Sequence, residues 1–259
     1  MNLSDTVRYK GVLSYAGIGF CGSQVQAGDV RTVFGLVESV LSSLLNQCVR
    51  CVPAGRTDSG VSASCMVFHM DSPASFNVSP IIRSVNRHLK SSGIIIRALE
   101  KTVSDFHAIA SATLRTYTYF FTFDARIPHY LLHAVAYIDR SPLFIPTESE
   151  IASIFCGTKN FEWLSAKSNA PSTIRSIQSI TFDEMTYNGL WYQPCVIYRF
   201  TISASGFLYR MVRNITGLLL HSMVNFTNMS KLRDYLCIHR VVRYRLAPAQ
   251  GLHLTDIVY

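Results

Sequence analysis

Apolar positions along the 259-residue chain switch between a period of two and a period of three to four, so the sequence marks out strands and helices in turn. Residues 7 to 15, Val-Arg-Tyr-Lys-Gly-Val-Leu-Ser-Tyr, alternate and carry aromatics, which predicts a first strand ended by Gly17 and Gly19. Beyond it Val33, Phe34, Val37, Val40, Leu41, Leu44 and Leu45 form one helical stripe, and Thr32 stands where an N-cap belongs. Residues 48 to 54 and 64 to 71 read as strands around a polar loop. Pro80 is expected to open a second helix running to about Leu89, where Ile81, Ile82, Val85 and Leu89 make a shorter stripe. Gly93 then leads into a strand over residues 94 to 99. The resulting order, β-α-β-β-α-β, is that of a split βαβ, ferredoxin-like unit, with an antiparallel sheet and both helices on one face.

The second half repeats strands and helices in a related style. Residues 114 to 123, rich in Thr, Tyr and Phe, predict a strand, and the Pro-punctuated stretch from Arg126 to Pro146 reads as a long surface excursion. Residues 148 to 156 suit a short helix, and a loop through Ala170-Pro171 follows. Strands are expected over Ile174 to Met185 and Cys195 to Ser203, joined across Asn188-Gly189. A final helix is expected from about Leu208 to Val224, with Leu208, Met211, Val212, Ile215 and Leu219 on one side and Arg210, Arg213, Asn214 and Gly217 along another. The reading is an α+β protein of two ferredoxin-like halves, residues 1 to 104 and 105 to 259, whose mainly antiparallel sheets meet around a central cleft.

Between the two strands of the first half lies Ala54-Gly55-Arg56-Thr57-Asp58-Ser59-Gly60-Val61-Ser62-Ala63. Gly55 and Gly60 bracket the charges, so the backbone there can turn sharply or admit a close neighbour. In extended chain the two-residue spacing puts Arg56 and Asp58 on one face, an anion holder beside a carboxylate.

Charge and cysteine content narrow the setting. The net charge is +8, from 24 basic against 16 acidic residues, which suits a polyanionic partner. Two basic clusters, Arg83, Arg87, His88 and Lys90, and His239, Arg240, Arg243 and Arg245, could track phosphates. No run reaches the ~18 apolar residues that span a bilayer, and the first ten residues lack a signal-peptide pattern, so a soluble, cytoplasmic protein without membrane partners is expected. Seven scattered cysteines argue against a disulfide framework, and the one Cys-x-x-Cys pair, Cys48 and Cys51, has no further ligands nearby, so no metal is expected.

Five stretches in order carry a resemblance: Tyr15-Ala16-Gly17; Gly55-Arg56-Thr57-Asp58-Ser59-Gly60-Val61; Asp105-Phe106-His107-Ala108 with Arg115-Thr116-Tyr117-Thr118-Tyr119; Met211-Val212-Arg213-Asn214-Ile215 with Gly217; and Gly251-Leu252-His253-Leu254. Together they resemble the tRNA pseudouridine synthase A family over almost the whole chain. The resemblance implies isomerisation of uridine to pseudouridine on the 3′ side of the tRNA anticodon stem-loop, by a homodimer and without a cofactor. Such chemistry breaks the N1–C1′ bond, turns the base and rejoins it through C5. Breaking that bond builds cationic sugar character, which a carboxylate can stabilise or bond to, and Asp58 is the carboxylate of the signature loop. By resemblance Arg213 keeps Asp58 ionised, Arg56 holds RNA or fills the place of a flipped nucleotide, Tyr117 contacts the uracil, and Leu252 or Leu254 packs against its other side. Three positions depart from the family: Ser23 stands for the usual tryptophan, Ser62 for histidine and Ile109 for a basic residue, which bears on auxiliary RNA contacts. A non-catalytic RNA-binding or tRNA-folding protein on the same scaffold is the alternative, and a nucleoside hydrolase a third reading.

Overall fold

The computed structural model describes residues 6–28, 30–166, 171–189, 192–238 and 244–259. They form two compact units, Met1–Thr113 with Leu254–Tyr259, and Leu114–His253. Both units are α+β with mostly antiparallel strands, as the sequence predicts.

The first unit begins with β1 (Val7–Tyr15), whose alternation sends Tyr9, Leu13 and Tyr15 into the core. Helix α1 (Val33–Leu45) follows; the Thr32 side chain accepts from the Gly35 N–H, and Asn46 ends the helix in the left-handed region at φ 50°. Strands β2 (Cys51–Pro53) and β3 (Ser62–Ser72) flank the Arg56 loop. Helix α2 (Val78–Leu89) starts two residues before Pro80, because the Asn77 side chain caps it by accepting from the Ser79 N–H. Pro80 then occupies a first-turn position whose N–H has no helical partner to lose. Strand β4 (Ile94–Lys101) completes the set.

Strand β3 pairs antiparallel with both β1 and β2, and β1 pairs antiparallel with β4. The parallel strands β1 and β2 are therefore split by β3, and β3 and β4 by β1, which is the split βαβ arrangement. The outer side of β3 also pairs with a late strand, β10 (Leu252–Val258), at its Leu254–Tyr259 portion.

In the second unit, β5 (Leu114–Thr122), β9 (Cys195–Ala204), β8 (Ile174–Tyr187) and β7 (Gly157–Asn160) lie side by side in that order, all antiparallel. Helix α3 (Glu148–Phe155) sits between β5 and β8 in the chain and opens with a capping box, Thr147 with Glu150. Strands β5 and β8 are split by β9, so the logic of the first unit recurs.

Three expectations need correction. The stretch 126–146 is not all surface: β6 (Ala136–Tyr137) pairs parallel with β5, and Ile127 and Val135 join Cys195 and Ile197 in a small apolar core. The last helix of the sequence reading, α4 (Met211–Asn225), starts at Met211 and not near Leu208, since Arg210 has φ 59° and cannot lie inside a helix. Of its expected polar side, Arg210 is exposed and Arg213 and Asn214 are half-buried, but Gly217 is buried, and a Cβ there would lie 2.4 Å from the Arg245 carbonyl oxygen. A further helix, α5 (Met229–Ile238), and strands β7 and β10 have no counterpart in the sequence reading. Of the two basic clusters, Arg83, Arg87, His88 and Lys90 are exposed, whereas His239, Arg240 and Arg243 lie outside the described residues, as does Ala170. No helix among the described residues is long and apolar enough to cross a membrane.

Candidate functional site

The Arg56 loop is held by its middle residue. Thr57 is buried, while Arg56 is exposed and Asp58 half-buried. The Thr57 N–H donates to the fully buried Ser23 hydroxyl at 2.9 Å, and the Ser23 N–H returns a bond to the Thr57 carbonyl at 3.2 Å. The Tyr15 and Thr57 hydroxyls share a 2.7 Å bond in the same buried spot. Beyond Asp58, the Ser59 hydroxyl donates to the Phe20 carbonyl at 3.0 Å, the Val61 N–H donates to the Asp58 carbonyl at 3.1 Å, and Ser62 Oγ accepts from the Gly17 N–H at 3.0 Å. Segment 15–23 thus supports the loop on both sides of Asp58. Ser23 and Ser62, expected to bear on auxiliary RNA contacts, are buried and tie the loop to this segment. A serine hydroxyl suits that task because it can accept from a backbone N–H in a space closed to larger side chains.

Two glycines make the geometry possible. Gly60 has φ +81°, a conformation most side chains resist, and turns the chain into β3. Gly17 lies against the loop so closely that a Cβ would sit 2.3 Å from the Val61 carbonyl oxygen and 2.6 Å from the Gly60 carbonyl carbon. Gly55 carries neither demand; a Cβ there would meet nothing within 4 Å. Gly17→Ala is therefore expected to cost about 1–3 kcal/mol, several degrees of Tm, and to lower turnover by displacing the backbone beside Asp58. Thermal melts and rates of the variant check this; unchanged values in both would mean the loop does not depend on the close approach.

In the second unit Tyr117 sits half-buried on β5, its ring 5.3 Å from that of Phe207 in an edge-to-face contact. Two residues on and on the same strand face, Tyr119 is fully buried and its hydroxyl donates to the Pro248 carbonyl at 2.9 Å. Burial drives its pKa upward, opposed by the charge of Arg213. Half-buried Arg213 on α4 donates from Nε to the Ala247 carbonyl at 2.9 Å, so the segment 247–248 draws Tyr119 and Arg213 to one place. Gly251 packs against the Tyr119 ring, with a would-be Cβ 2.7 Å from Cζ. Leu252, in this unit, and Leu254, in the first, are both buried. Tyr119 stands in the Arg115–Tyr119 stretch without a role that the sequence alone assigns, although the Tyr117-x-Tyr119 alternation marks it as sharing a strand face with Tyr117; Phe207 and the serine ties carry no local signal.

The Asp105-Phe106-His107-Ala108 stretch packs on His69. Its Nδ1 accepts from the Ala108 N–H at 3.1 Å, and the His107 ring lies 4.8 Å away. Burial, helped by Arg8 and His107, lowers the His69 pKa, and burial likewise lowers those of His253 and His221. These groups bind protons less readily in the folded chain than in the unfolded one, where a histidine titrates near about 6.5. Stability is thus expected to be level above that value and to fall as pH drops through it, before the Arg8-paired Asp71, whose pKa is lowered, begins to titrate at lower pH. Melting curves between about pH 7.5 and 5.5 test this. His69→Asn, which can keep an acceptor for Ala108, should flatten part of the fall, and a flat parent profile would contradict it. Among the described residues no group of three or more His, Cys, Asp or Glu side chains is placed to hold a metal ion.

The family model described as tRNA pseudouridine synthase matches residues 151–259. A Bdellovibrio bacteriovorus protein named tRNA pseudouridine synthase A is 32% identical over 98% of this chain and 95% of its own length. The Bacillus subtilis protein of the same name is also 32% identical, over 98% of this chain and 99% of its own. That of Brevibacillus brevis is 29% identical over 97% and 99%.

Proposed function

Because the chain belongs to the tRNA pseudouridine synthase A family, we propose that it isomerises uridine to pseudouridine on the 3′ side of the tRNA anticodon stem-loop, with Asp58 acting at ribose C1′. The protein is an isomerase of the tRNA-modifying kind. The observation that supports the finer reading is the loop itself: ties at Thr57, Ser59 and Ser62 hold the backbone on both sides of a half-buried Asp58, with Arg56 exposed two residues before it. A carboxylate fixed in this way needs no reorganisation before it meets a developing sugar cation.

In this mechanism Asp58 attacks or stabilises C1′ as the bond to N1 breaks. Uracil turns within the site and C5 bonds to C1′, breaking the C1′–Asp58 bond if one had formed and freeing the carboxylate, and the C5 proton is then lost to solvent to restore the ring. Arg213 supplies a cation that cannot lose its proton, so that the carboxylate stays ionised. Arg56 meets the RNA backbone or takes the place of the displaced nucleotide. The Tyr117 ring stacks on the base, and Leu252 or Leu254 limits it on the other side. Family resemblance extends the proposal to a cytoplasmic homodimer.

The test uses unmodified tRNA tritiated at uracil C5. Isomerisation releases the label to water. A non-catalytic binder would release nothing, and a hydrolase would free labelled uracil.

A further inference from the structure

A cavity of about 260 Å³ opens in the first unit beside the Arg56 loop. Asp58 does not line it, so it is a different space from the one in which the sugar would react. Its floor is apolar, made by buried Phe34 and by Val52 and Pro53 of β2. Val25 and Ile109, 42% and 49% exposed, also line it, unusually open positions for large aliphatic side chains. The Gly55 backbone leaves one wall bare.

The polar groups around this apolar space are few and of definite kinds. Exposed Arg56 brings a guanidinium, which suits a phosphate or a base face. Gln24 brings a carboxamide, which offers both a donor and an acceptor. Glu38 does not spoil the site for an anion: one of its oxygens accepts from Arg50 at 2.9 Å and the other from the Cys51 N–H at 2.8 Å. The Arg50 side chain remains 74% exposed and adds positive charge.

We infer that this cavity is a second nucleotide site, which takes the base of an unstacked residue flanking the target uridine while Arg56 meets its phosphate. Apolar walls for the faces of a base, a carboxamide for its edge and a cation for its phosphate are the means by which single-stranded RNA is held. The volume falls just below the ~300–1,000 Å³ typical of sites for whole small molecules, and suits one base. Arg56 is two residues from Asp58, at most about 7 Å along the chain, so an occupant there belongs to the same RNA strand as the reacting uridine. The inference rests on tRNA being the substrate.

Ile109→Trp tests it from outside the catalytic loop, by placing an indole in the mouth of the cavity at an exposed position. KM for tRNA is expected to rise roughly 10-fold with kcat within about twofold of the parent. Binding is then measured on the Asp58→Asn background with anticodon-arm RNAs carrying one abasic residue at each position flanking the target. One abasic position should weaken binding roughly 10-fold, and that loss should vanish when Ile109→Trp is added. Gln24→Ala, a smaller change, should remove part of the same position-specific loss. Abasic losses of equal size with and without Ile109→Trp and Gln24→Ala, or an unchanged KM in folded Ile109→Trp, would overturn the site. Tritium release by the parent protein reports separately on the isomerase reading, so the two can fail independently.

Discussion

Asp58→Asn is expected to lower turnover by about four orders of magnitude or more while tRNA continues to bind. The substitution keeps the shape of the side chain and removes only its charge. The ties through the Thr57 backbone, the Ser59 and Ser62 hydroxyls and the Asp58 carbonyl hold the loop without the carboxylate. A change in the Asp58 side chain breaks none of these. Loss of rate with an unchanged melting temperature therefore assigns the chemistry to the carboxylate. Substantial residual turnover would move it to another residue.

Tyr117→Phe carries the second largest expected effect. Its ring is braced edge-to-face by Phe207 at 5.3 Å, and Phe keeps that contact and the stacking surface. Affinity for tRNA should change little. If the hydroxyl assists removal of the C5 proton, the rate should fall about 10²- to 10⁴-fold, the usual cost of a lost proton-transfer group. Tyr117→Leu should weaken binding as well, since base stacking is worth about 1–3 kcal/mol. Equal activity of Tyr117→Phe and the parent would leave Tyr117 as a stacking platform only. The burden of proton transfer would then fall on another group.

Most of the first unit was legible because its elements are written locally. The alternation of residues 7–15 and the stripe after Thr32 need no distant partner to be recognised, and β1 and α1 have the expected bounds. Strand β7, Gly-Thr-Lys-Asn, has no apolar pattern and exists through its pairing with β8. Strand β10 did carry a signal, the alternation of Leu252 and Leu254, and α5 had a start signal in Asn228, whose side chain accepts from the Lys231 N–H. In stretch 126–146 the prolines outweighed buried Ile127, Val135 and Ala136. At the site, Arg56 and Asp58 stood out as charges in a glycine-flanked loop. The side chains that support them did not, since Tyr15 and Ser23 reach Thr57 across separations of 42 and 34 residues and no local pattern encodes such a bond.

The pairing of β3 with β10 sets an order of events at the ribosome. The first unit is complete only when Leu254–Tyr259 has been made, after the whole of Leu114–His253. At roughly 5–20 residues per second, translation leaves that gap open for on the order of ten seconds. During that time the part of the β3 edge beyond its pairing with β2 at Phe68–Met70 has no β10 beside it, and the ring of Tyr259 has yet to reach Phe106 and Lys10. An unpaired edge of this kind is a template for wrong partners. The nascent chain therefore carries an open seam from the completion of β3 until Leu254–Tyr259 has left the ribosome, and over that interval the seam is its point of exposure to mispairing.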